Sequence, residues 1–265
     1  MQATSRGFSI HYTVEGEGPP LMLVAPTMGA AEHWRQAGYI EGLASNWRVI
    51  NVDPLGHGDS DKPHDPDAYE AAGVTDDLVA VLDAEGVEKA TVWGYSRGGW
   101  LTCSLAAARA ERVERIVVGG YAMHAHEEEV DRLLAPLAAF LRQGDWAGLW
   151  QALGVDDADF QAMIEESNDP VAVAVAIDGS LRPTRFVDPA NVRCPAAYYV
   201  GSEDWIVPHV RTDIDALGAA LDVIPGQAHV RNVLCGCGAR PRGGQFAPAL
   251  IATCTPTIRP RARRG

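Results

Sequence analysis

Short apolar runs alternate with amphipathic helical segments along most of the chain. The runs short enough to be buried strands lie at residues 21–25, 47–52, 90–95, 113–118, 196–200 and 221–224. Residues 8–14 instead place an apolar side chain at every second position, which predicts an edge strand. Helical segments separate these strands, at residues 32–43, 74–84, 101–110 and 210–217. Strands and helices in this alternation predict an α/β fold with a mostly parallel sheet flanked by helices.

The region between residues 121 and 191 contains no convincing strand. Residues 131–153 carry large apolar side chains at helical spacing, and we expect Pro136 and Gly144 to break this helix into pieces. This part of the chain is therefore predicted to be helical.

Two further helices are predicted at residues 159–166 and 171–177. The second alternates like a strand, but Asp169-Pro170 before it is a good cap and first-turn pair for a helix. An insertion that follows a strand's carboxyl end lies above the ligand crevice of an α/β sheet. The predicted domains are an α/β core at residues 1–121 and 191–230 and a helical cap insertion at residues 122–190.

One strand leads into a serine that has glycines on both sides, Gly94-x-Ser96-x-Gly98. A helical run of small residues follows, so the context is strand, sharp turn and helix, as a nucleophile elbow requires. Side chains at positions 94 and 98 would collide with neighbouring backbone, which explains the glycines. The helix N-terminus directs free N–H groups at whatever Ser96 attacks. Ser96 is therefore the candidate nucleophile.

Composition narrows the class of protein. A chain of 265 residues with 47% hydrophobic residues fits one large domain or a domain with an insertion. It contains no apolar run long enough for a membrane span, and residues 1–7 lack an apolar signal region, so we expect a cytoplasmic protein.

Five cysteines without a disulfide-framework spacing suit a reducing compartment. The net charge of −13 argues against nucleic acid or an anionic membrane as a partner.

Several motifs occur in an order that is similar to the α/β-hydrolase superfamily. They are Pro-Thr-Met-Gly at 26–29, Asp-x-x-Gly-His-Gly-x-Ser-Asp at 53–61, the elbow, Gly-Ser-Glu-Asp-Trp-Ile-Val-Pro at 201–208 and Gly-Gln-Ala-His at 226–229. The chain resembles the serine-nucleophile branch of this superfamily over residues 8–229. The resemblance implies an α/β-hydrolase fold and a hydrolase that needs no cofactor, acts on a small acyl substrate and is a monomer or homodimer.

A serine hydroxyl is a poor nucleophile until a base takes its proton, and a carboxylate must orient a histidine base. Ser96, Asp204 and His229 follow one another in the chain order of this fold. Glu203 competes with Asp204 for the role of the acid. The rival histidines are His33, His57, His124, His126 and His209, but only His229 follows the last predicted strand. We expect His57 to be structural and His124 and His126 to lie at the surface.

An oxyanion that develops during acyl transfer needs preorganised donors. The N–H of Arg97 follows the nucleophile, and the resemblance implies that the N–H of Met28 is the second donor. Pro26 and Thr27 depart from the usual His-Gly of the superfamily, and Thr27 could add a hydroxyl. Arg97 is a cation at a helix N-terminus, where the dipole disfavours it. We expect its side chain to be solvated, with a carboxylate partner or an anionic substrate group as the alternative.

The identity of the nucleophile limits the class of reaction. Related dehalogenases and epoxide hydrolases use an elbow aspartate, so a serine indicates acyl chemistry on a carboxylic ester, thioester or lactone. A C–C bond hydrolase, a cofactor-free perhydrolase and a non-catalytic binding protein remain alternatives.

Candidates for lining the pocket, each with core packing as the alternative, are Trp34, Trp100, Met123, Trp146, Trp150 and Trp205. No metal site is predicted, because Cys235-x-Cys237 with Cys254 lacks a fourth ligand.

The composition changes abruptly after the last predicted strand. Residues 231–265 contain seven arginines and no Asp, Glu or Lys. Glycines and prolines interrupt any helical period there, whereas the superfamily usually has an amphipathic helix after its histidine loop. We expect this atypical basic tail to be poorly ordered. A reading-frame shift just after His229 is one hypothesis for its origin, and a genuine basic tail is the alternative.

Overall fold

The computed structural model of the protein describes residues 1–182 and 186–229. Within these residues one eight-stranded sheet has the order β1-β2-β4-β3-β5-β6-β7-β8. Its strands are β1 (Gln2–Ser5), β2 (Phe8–Glu15), β3 (Pro20–Val24), β4 (Arg48–Val52), β5 (Ala90–Tyr95), β6 (Val113–Gly119), β7 (Ala196–Gly201) and β8 (Ala220–Ile224). β2 pairs antiparallel with β1 and β4, and every other pairing is parallel.

Helices follow most of the parallel strands. They are α1 (Ala31–Gln36), α2 (Tyr39–Leu43), α3 (Ala71–Ala84), α4 (Arg97–Ala108), α5 (Glu127–Arg142), α6 (Trp146–Leu153), α7 (Ala158–Ser167), α8 (Pro170–Ser180) and α9 (Val207–Leu217). Short 3₁₀ turns lie at Pro66–Tyr69, Ala110–Arg112 and Pro189–Asn191. The predicted α/β class, with a mostly parallel sheet flanked by helices, is confirmed.

The expected edge position of residues 8–14 is wrong, because β1 lies outside them. β1 is short and rich in polar residues, so its sequence carries little periodic signal. It joins β2 through Arg6 and Gly7, whose φ values of 52° and 87° are those of a tight hairpin turn. The second strand is therefore internal, between β1 and β4.

Two helix boundaries also differ from the prediction. Residues 32–43 form two helices instead of one, because Gly38 adopts a left-handed φ of 78° between them. Pro136 lies inside α5 without ending it. Both Pro136 and Arg132, whose carbonyl loses its i+4 donor, are exposed, so water can satisfy the freed group.

The parallel strands β3 to β7 are largely buried on both faces of the sheet. In β3, Leu21 and Leu23 pack in the apolar cluster that includes Ile40 of α2, whereas Met22 and Val24 pack in the larger cluster on the opposite face. All four β3 side chains have no exposed surface. This two-sided burial explains the continuous apolar runs in the sequence.

The four helices α5 to α8 lie between β6 and β7 in the chain and share an apolar cluster of their own. Asp169 caps α8 as predicted, because its carboxylate accepts hydrogen bonds from the N–H groups of Val171 and Ala172 at 2.9 and 3.1 Å. Met28, from the loop after β3, joins this cluster. The insertion therefore packs against the loop that follows a central strand.

In the part of the chain that the structure describes, no helix combines the length and apolar character needed to cross a membrane. The expected disorder of residues 231–265 concerns residues outside the described ranges.

A buried carboxylate on α9 anchors the segment that leads from β6 into the insertion. Asp213 has no exposed surface and accepts hydrogen bonds from the N–H groups of Met123 and His124 at 2.6 and 3.1 Å. It also pairs with His124 Nδ1 at 2.5 Å. Burial raises the pKa of Asp213, and these hydrogen bonds act against that shift.

Removing this anchor leaves the buried N–H of Met123 without an acceptor. We expect Asp213→Ala to lower the free energy of unfolding by about 3 kcal/mol, measured by urea denaturation. Asp215→Ala changes an exposed carboxylate of the same helix and is the matched control, with an expected change below about 0.5 kcal/mol. Equal losses in the two variants would contradict the anchoring role.

His57 makes stability depend on pH. Its side chain is fully buried, and burial, followed by the charge of Arg97, lowers its pKa to about 3. The unfolded chain instead binds a proton at an ordinary histidine pKa of about 6.5. The unfolded state therefore holds more protons between pH 5 and pH 7, so acidification through this window destabilises the fold.

We expect the wild-type protein to lose about 2 kcal/mol more than His57→Asn between pH 7 and pH 5, measured by urea denaturation at each pH. His126→Asn replaces an exposed histidine and is the matched control for the loss of one imidazole. Parallel profiles for the wild type and His57→Asn would show that His57 titrates normally in the folded protein.

Candidate active site

Ser96 lies in a strained turn between β5 and α4. Its backbone has φ 52° and ψ −116°, and its N–H donates to the carbonyl of Gly119 at 2.8 Å. A Cβ at Gly94 would collide with the carbonyl of Gly98, and one at Gly98 would collide with the carbonyl of Val24. The strand and helix can therefore meet this closely only with glycine at both positions.

The three residues predicted to form a catalytic triad lie together. His229 Nε2 is 3.1 Å from Ser96 Oγ, and His229 Nδ1 is 2.8 Å from Asp204 Oδ2. A carboxylate can only accept, so Nδ1 carries the proton and Nε2 is free to accept from the serine hydroxyl. The Asp204 side chain has no exposed surface, and Oδ1 accepts from the N–H of Ile206 at 3.2 Å. The arrangement can take a proton from Ser96 and stabilise the resulting imidazolium.

The residues that were alternatives to Asp204 and His229 lie away from Ser96. Glu203 is exposed, whereas Asp204 is buried against His229. His57 is buried, with Nδ1 on the carbonyl of Leu55 at 3.2 Å, and His33 accepts from the N–H of Ala30 at 2.6 Å. The remaining rivals form carboxylate or ring contacts away from Ser96: His124 with Asp213, His209 with Glu129, and His126 with His209.

The two expected oxyanion donors lie in the turn after β5 and in the loop after β3. Arg97 is the first residue of α4, where a backbone N–H has no acceptor within the helix. Met28 has a left-handed φ of 60°, and its carbonyl accepts from the Asn168 side chain at 3.1 Å. Among the described residues, only Arg6, Met28 and Ser96 are non-glycine residues with positive φ. Two of these three strained residues, Met28 and Ser96, are therefore among those predicted for the site.

Asn168 and Tyr95 support the site without having been predicted. Asn168 ends α7 and holds the loop that contains Met28. The Tyr95 hydroxyl donates to the carbonyl of His229 at 3.2 Å, and the two rings are 5.7 Å apart. The position of Tyr95 directly before the nucleophile is the only sequence signal for its role. Nothing in the sequence connects Asn168 with Met28, because the two residues are 140 positions apart.

A mainly apolar cavity of about 100 Å³ opens beside Ser96. Its lining combines core residues with residues of the insertion, namely Thr27, Ser96, Arg97, Trp100, Gly120, Tyr121, Ala122, Met123, Ala125, Val130, Leu133, Leu134, Ile177, Ser180, Phe186, Trp205, Ile206 and His229. Trp100, Met123 and Trp205 are therefore at the cavity wall.

The other proposed lining residues do not border this cavity. Trp34 packs edge-on against Tyr39 and Trp93, with ring centroids 5.0 and 5.8 Å away. Trp146 and Trp150 stack on each other at 5.7 Å within the apolar cluster of the insertion. Helical spacing identifies a buried face but does not tell whether that face meets a neighbouring helix or the cavity.

The expectation of a solvated Arg97 side chain is wrong. Arg97 is only 6% exposed, and Ser180 of α8 lies against it. Its Nε donates to Ser180 Oγ at 3.3 Å, and its guanidinium carbon is 5.8 Å from the centre of the Trp100 ring. Burial lowers the pKa of Arg97 to about 10, so the side chain remains charged at neutral pH.

A small acidic cluster lies outside this cavity. His11, Asp53 and Asp59 bring their side-chain donor atoms within 4.8 Å of one another, in a search limited to the described residues. Asp53 already pairs with His11 at 2.8 Å and accepts from the N–H groups of Ala31 and Asp59 at 2.5 and 3.0 Å. These hydrogen bonds of Asp53 give the cluster a structural role, which is to support the loop after β4.

Comparison with known proteins agrees with this architecture. A family model described as the α/β hydrolase fold matches residues 20–145. The chain is 39% identical over 110 residues to the 2-hydroxymuconate semialdehyde hydrolase of Pseudomonas sp. (strain CF600), a match that covers 40% of this chain and 38% of the relative. The chain spans about two fifths of the length of the curated relatives it matches.

Solved structures match over almost the whole chain. The enol-lactonase from Burkholderia xenovorans LB400 is 22% identical with a TM-score of 0.78, covering 97% of this chain and 100% of its own. A thermophilic esterase from Thermogutta terrifontis is 20% identical with a TM-score of 0.77, covering 96% and 98%. At these identities the structural likeness establishes the fold. With the family match over residues 20–145 and the strand order, it shows that the chain has the α/β-hydrolase fold.

Proposed function

We propose that the protein is a serine hydrolase that cleaves a small acyl substrate, either a carboxylic ester, a thioester or a lactone, through an acyl-enzyme. The observation that carries this proposal is the bridging of Ser96 and Asp204 by His229, at 3.1 and 2.8 Å. The names of similar proteins, which include a hydrolase, an enol-lactonase and an esterase, support the same class of reaction.

The proposed reaction has two halves. His229 Nε2 takes the proton of Ser96 as Oγ attacks the substrate carbonyl, and Asp204 stabilises the imidazolium. The N–H groups of Met28 and Arg97 hold the oxyanion. His229 then gives its proton to the leaving oxygen or sulfur, and the acyl group stays on Ser96. In the second half, His229 takes a proton from water, the hydroxide attacks the acyl-enzyme, and Ser96 recovers its proton.

The cavity favours a small substrate. Its volume is about 100 Å³, and its wall consists largely of apolar side chains such as Trp100, Met123 and Leu134. Only a few polar groups, including Thr27 and Ser180, border it. A short acyl chain would fill this space and exclude water from the reacting carbonyl.

C–C bond hydrolysis is the second candidate function, because the relative that is 39% identical over 110 residues is a semialdehyde hydrolase. The two candidates share the serine and the histidine, so a substrate panel must separate them. A set of p-nitrophenyl esters with acyl chains of increasing length tests the first, and a vinylogous 1,5-diketone acid tests the second.

The role of Ser96 as the nucleophile can be tested with Ser96→Ala. We expect kcat/KM for p-nitrophenyl acetate to fall by about 10⁴-fold or more, because no other hydroxyl replaces Oγ. Circular dichroism should show an unchanged fold. A fluorophosphonate probe should label the wild type and not the variant. Turnover near the wild-type level in Ser96→Ala would exclude Ser96 as the nucleophile.

The role of Asp204 can be tested against its exposed neighbour. We expect Asp204→Asn to lower kcat by about 10³- to 10⁴-fold, because an amide would favour the wrong histidine tautomer. Glu203→Gln is the matched control and should stay within about threefold of the wild type, since Glu203 is exposed. Similar losses in both variants, or a larger loss in Glu203→Gln, would place the acid elsewhere.

A further inference from the structure

The loop after β3 contains a strained turn. The N–H of Gly29 donates to the carbonyl of Pro26 at 2.9 Å, which closes a β-turn over residues 26–29. Met28, the third residue of this turn, has φ 60°, whereas Thr27 is not among the residues with positive φ. This combination defines a type II turn, whose third position normally holds glycine or asparagine. A methionine there is strained, so contacts from outside the turn must hold it.

The type of this turn decides where the N–H of Met28 points. Types I and II differ by rotation of the central peptide, here the one between Thr27 and Met28, through roughly half a turn. The N–H of Met28 belongs to that peptide, so relaxation to a type I turn, which suits most residues, would reverse its direction. In the type II turn this N–H has no acceptor within residues 1–182 and 186–229. It is therefore available to a ligand.

The turn lies beside the nucleophile. A Cβ at Gly98, two residues after Ser96, would collide with the carbonyls of Val24 and Ala25, which directly precede the turn. Thr27 borders the same cavity as Ser96. The peptide that carries the N–H of Met28 therefore adjoins the space in which the proposed oxyanion would form.

Asn168, from the insertion, holds this turn. Its Nδ2 donates to the carbonyls of Met28 and Ile164 at 3.1 and 2.9 Å, and it lies 3.0 Å from Ser167 Oγ. Carbonyls can only accept, so the nitrogen of the amide faces them. Asn168 is 8% exposed, and its Oδ1 is enclosed without a hydrogen-bond partner in the described part of the chain. The buried amide is thus oriented as a donor between α7 and the turn.

On the basis of the proposed function, we infer that Asn168 is a positioning residue that keeps residues 26–29 in the type II turn and so keeps the N–H of Met28 available to the oxyanion. The Met28 side chain, which is 6% exposed, packs in the apolar cluster of the insertion and adds to this support. The outside support that the strained residue needs thus comes from the insertion. The insertion then affects the rate of the reaction as well as the shape of the cavity.

Asn168→Ala tests this inference in the hydrolysis of p-nitrophenyl acetate. We expect kcat/KM to fall about 30-fold, because loss of one oxyanion donor costs about 10²- to 10³-fold and a misplaced donor keeps part of its effect. Gln161→Ala is the matched control. Its amide, also on α7, donates to the carbonyl of Val155 at 2.7 Å and does not reach the turn. The control should stay within about threefold of the wild type, and equal losses in the two variants would overturn the inference.

A pair of ketones separates oxyanion stabilisation from general damage. The carbonyl carbon of 1,1,1-trifluoro-2-hexanone accepts Ser96 Oγ, the proton passes to His229, and the carbonyl oxygen becomes an oxyanion. The parent 2-hexanone has the same carbon chain and binds without this addition. We expect Asn168→Ala to raise Ki about 30-fold for the trifluoroketone and less than about threefold for 2-hexanone. Partial unfolding lowers the amount of active enzyme but changes neither Ki, and equal changes in both would overturn the inference.

Relief of the strain at Met28 provides a second test. Met28→Gly places at this position a residue that adopts positive φ without strain, so the type II turn no longer needs Asn168. In the Met28→Gly background, Asn168→Ala should lower kcat/KM by about threefold or less, compared with about 30-fold in the wild-type background. A loss near 30-fold in both backgrounds would show that Asn168 does not hold the turn.

Labelling of the wild type distinguishes failure of this inference from failure of the proposed function. If a fluorophosphonate labels Ser96 and the wild type hydrolyses the ester, equal rates in Asn168→Ala and Gln161→Ala overturn the role of Asn168 alone. Absence of both labelling and ester hydrolysis would instead overturn the proposed function, and the inference with it.

Discussion

The strained turn at Ser96 is the constraint on which the rest of the site depends. A serine with φ 52° and ψ −116° persists only if the surrounding structure holds it. The buried strand β5 on one side and the mostly buried helix α4 on the other supply that support. Gly94 and Gly98 let the two elements approach, and the bond from Ser96 N–H to the Gly119 carbonyl ties the turn to β6. The hydroxyl is thereby held at the carboxyl edge of the sheet.

The other groups of the proposed reaction also follow the carboxyl ends of strands. Met28 follows β3, Asp204 follows β7 and His229 follows β8, so four separate loops meet where parallel strands end. The insertion adds the second wall. α7 holds Met28 through Asn168, and α8 encloses Arg97 through Ser180. The core thus holds Ser96, Asp204 and His229, and the insertion contributes part of the cavity wall beside them.

Much of the fold could be predicted from the pattern of apolar residues. Six parallel strands, the helices between β6 and β7 and the Asp169 cap of α8 were all predicted from the sequence. The failures have physical causes. β1 is too short and polar to show a period, Gly38 ends a helix through its backbone freedom, and Pro136 is tolerated because its side of α5 faces water. Each of these depends on local surroundings that the residue itself does not encode.

The residues of the candidate site also differ in whether the sequence could predict their positions. Ser96, Asp204 and His229 could be predicted because each follows a strand, and strand order alone brings the carboxyl ends of parallel strands together. The positions of Arg97, Trp34, Trp146 and Trp150 could not be predicted from residue type or spacing. Whether a side chain meets solvent, a neighbouring helix or a cavity depends on how α8 and its partners pack over the sheet. The sequence by itself therefore determined which residues meet at the candidate site, and only tertiary packing decided that Arg97 is buried, because burial is set by contacts between distant segments.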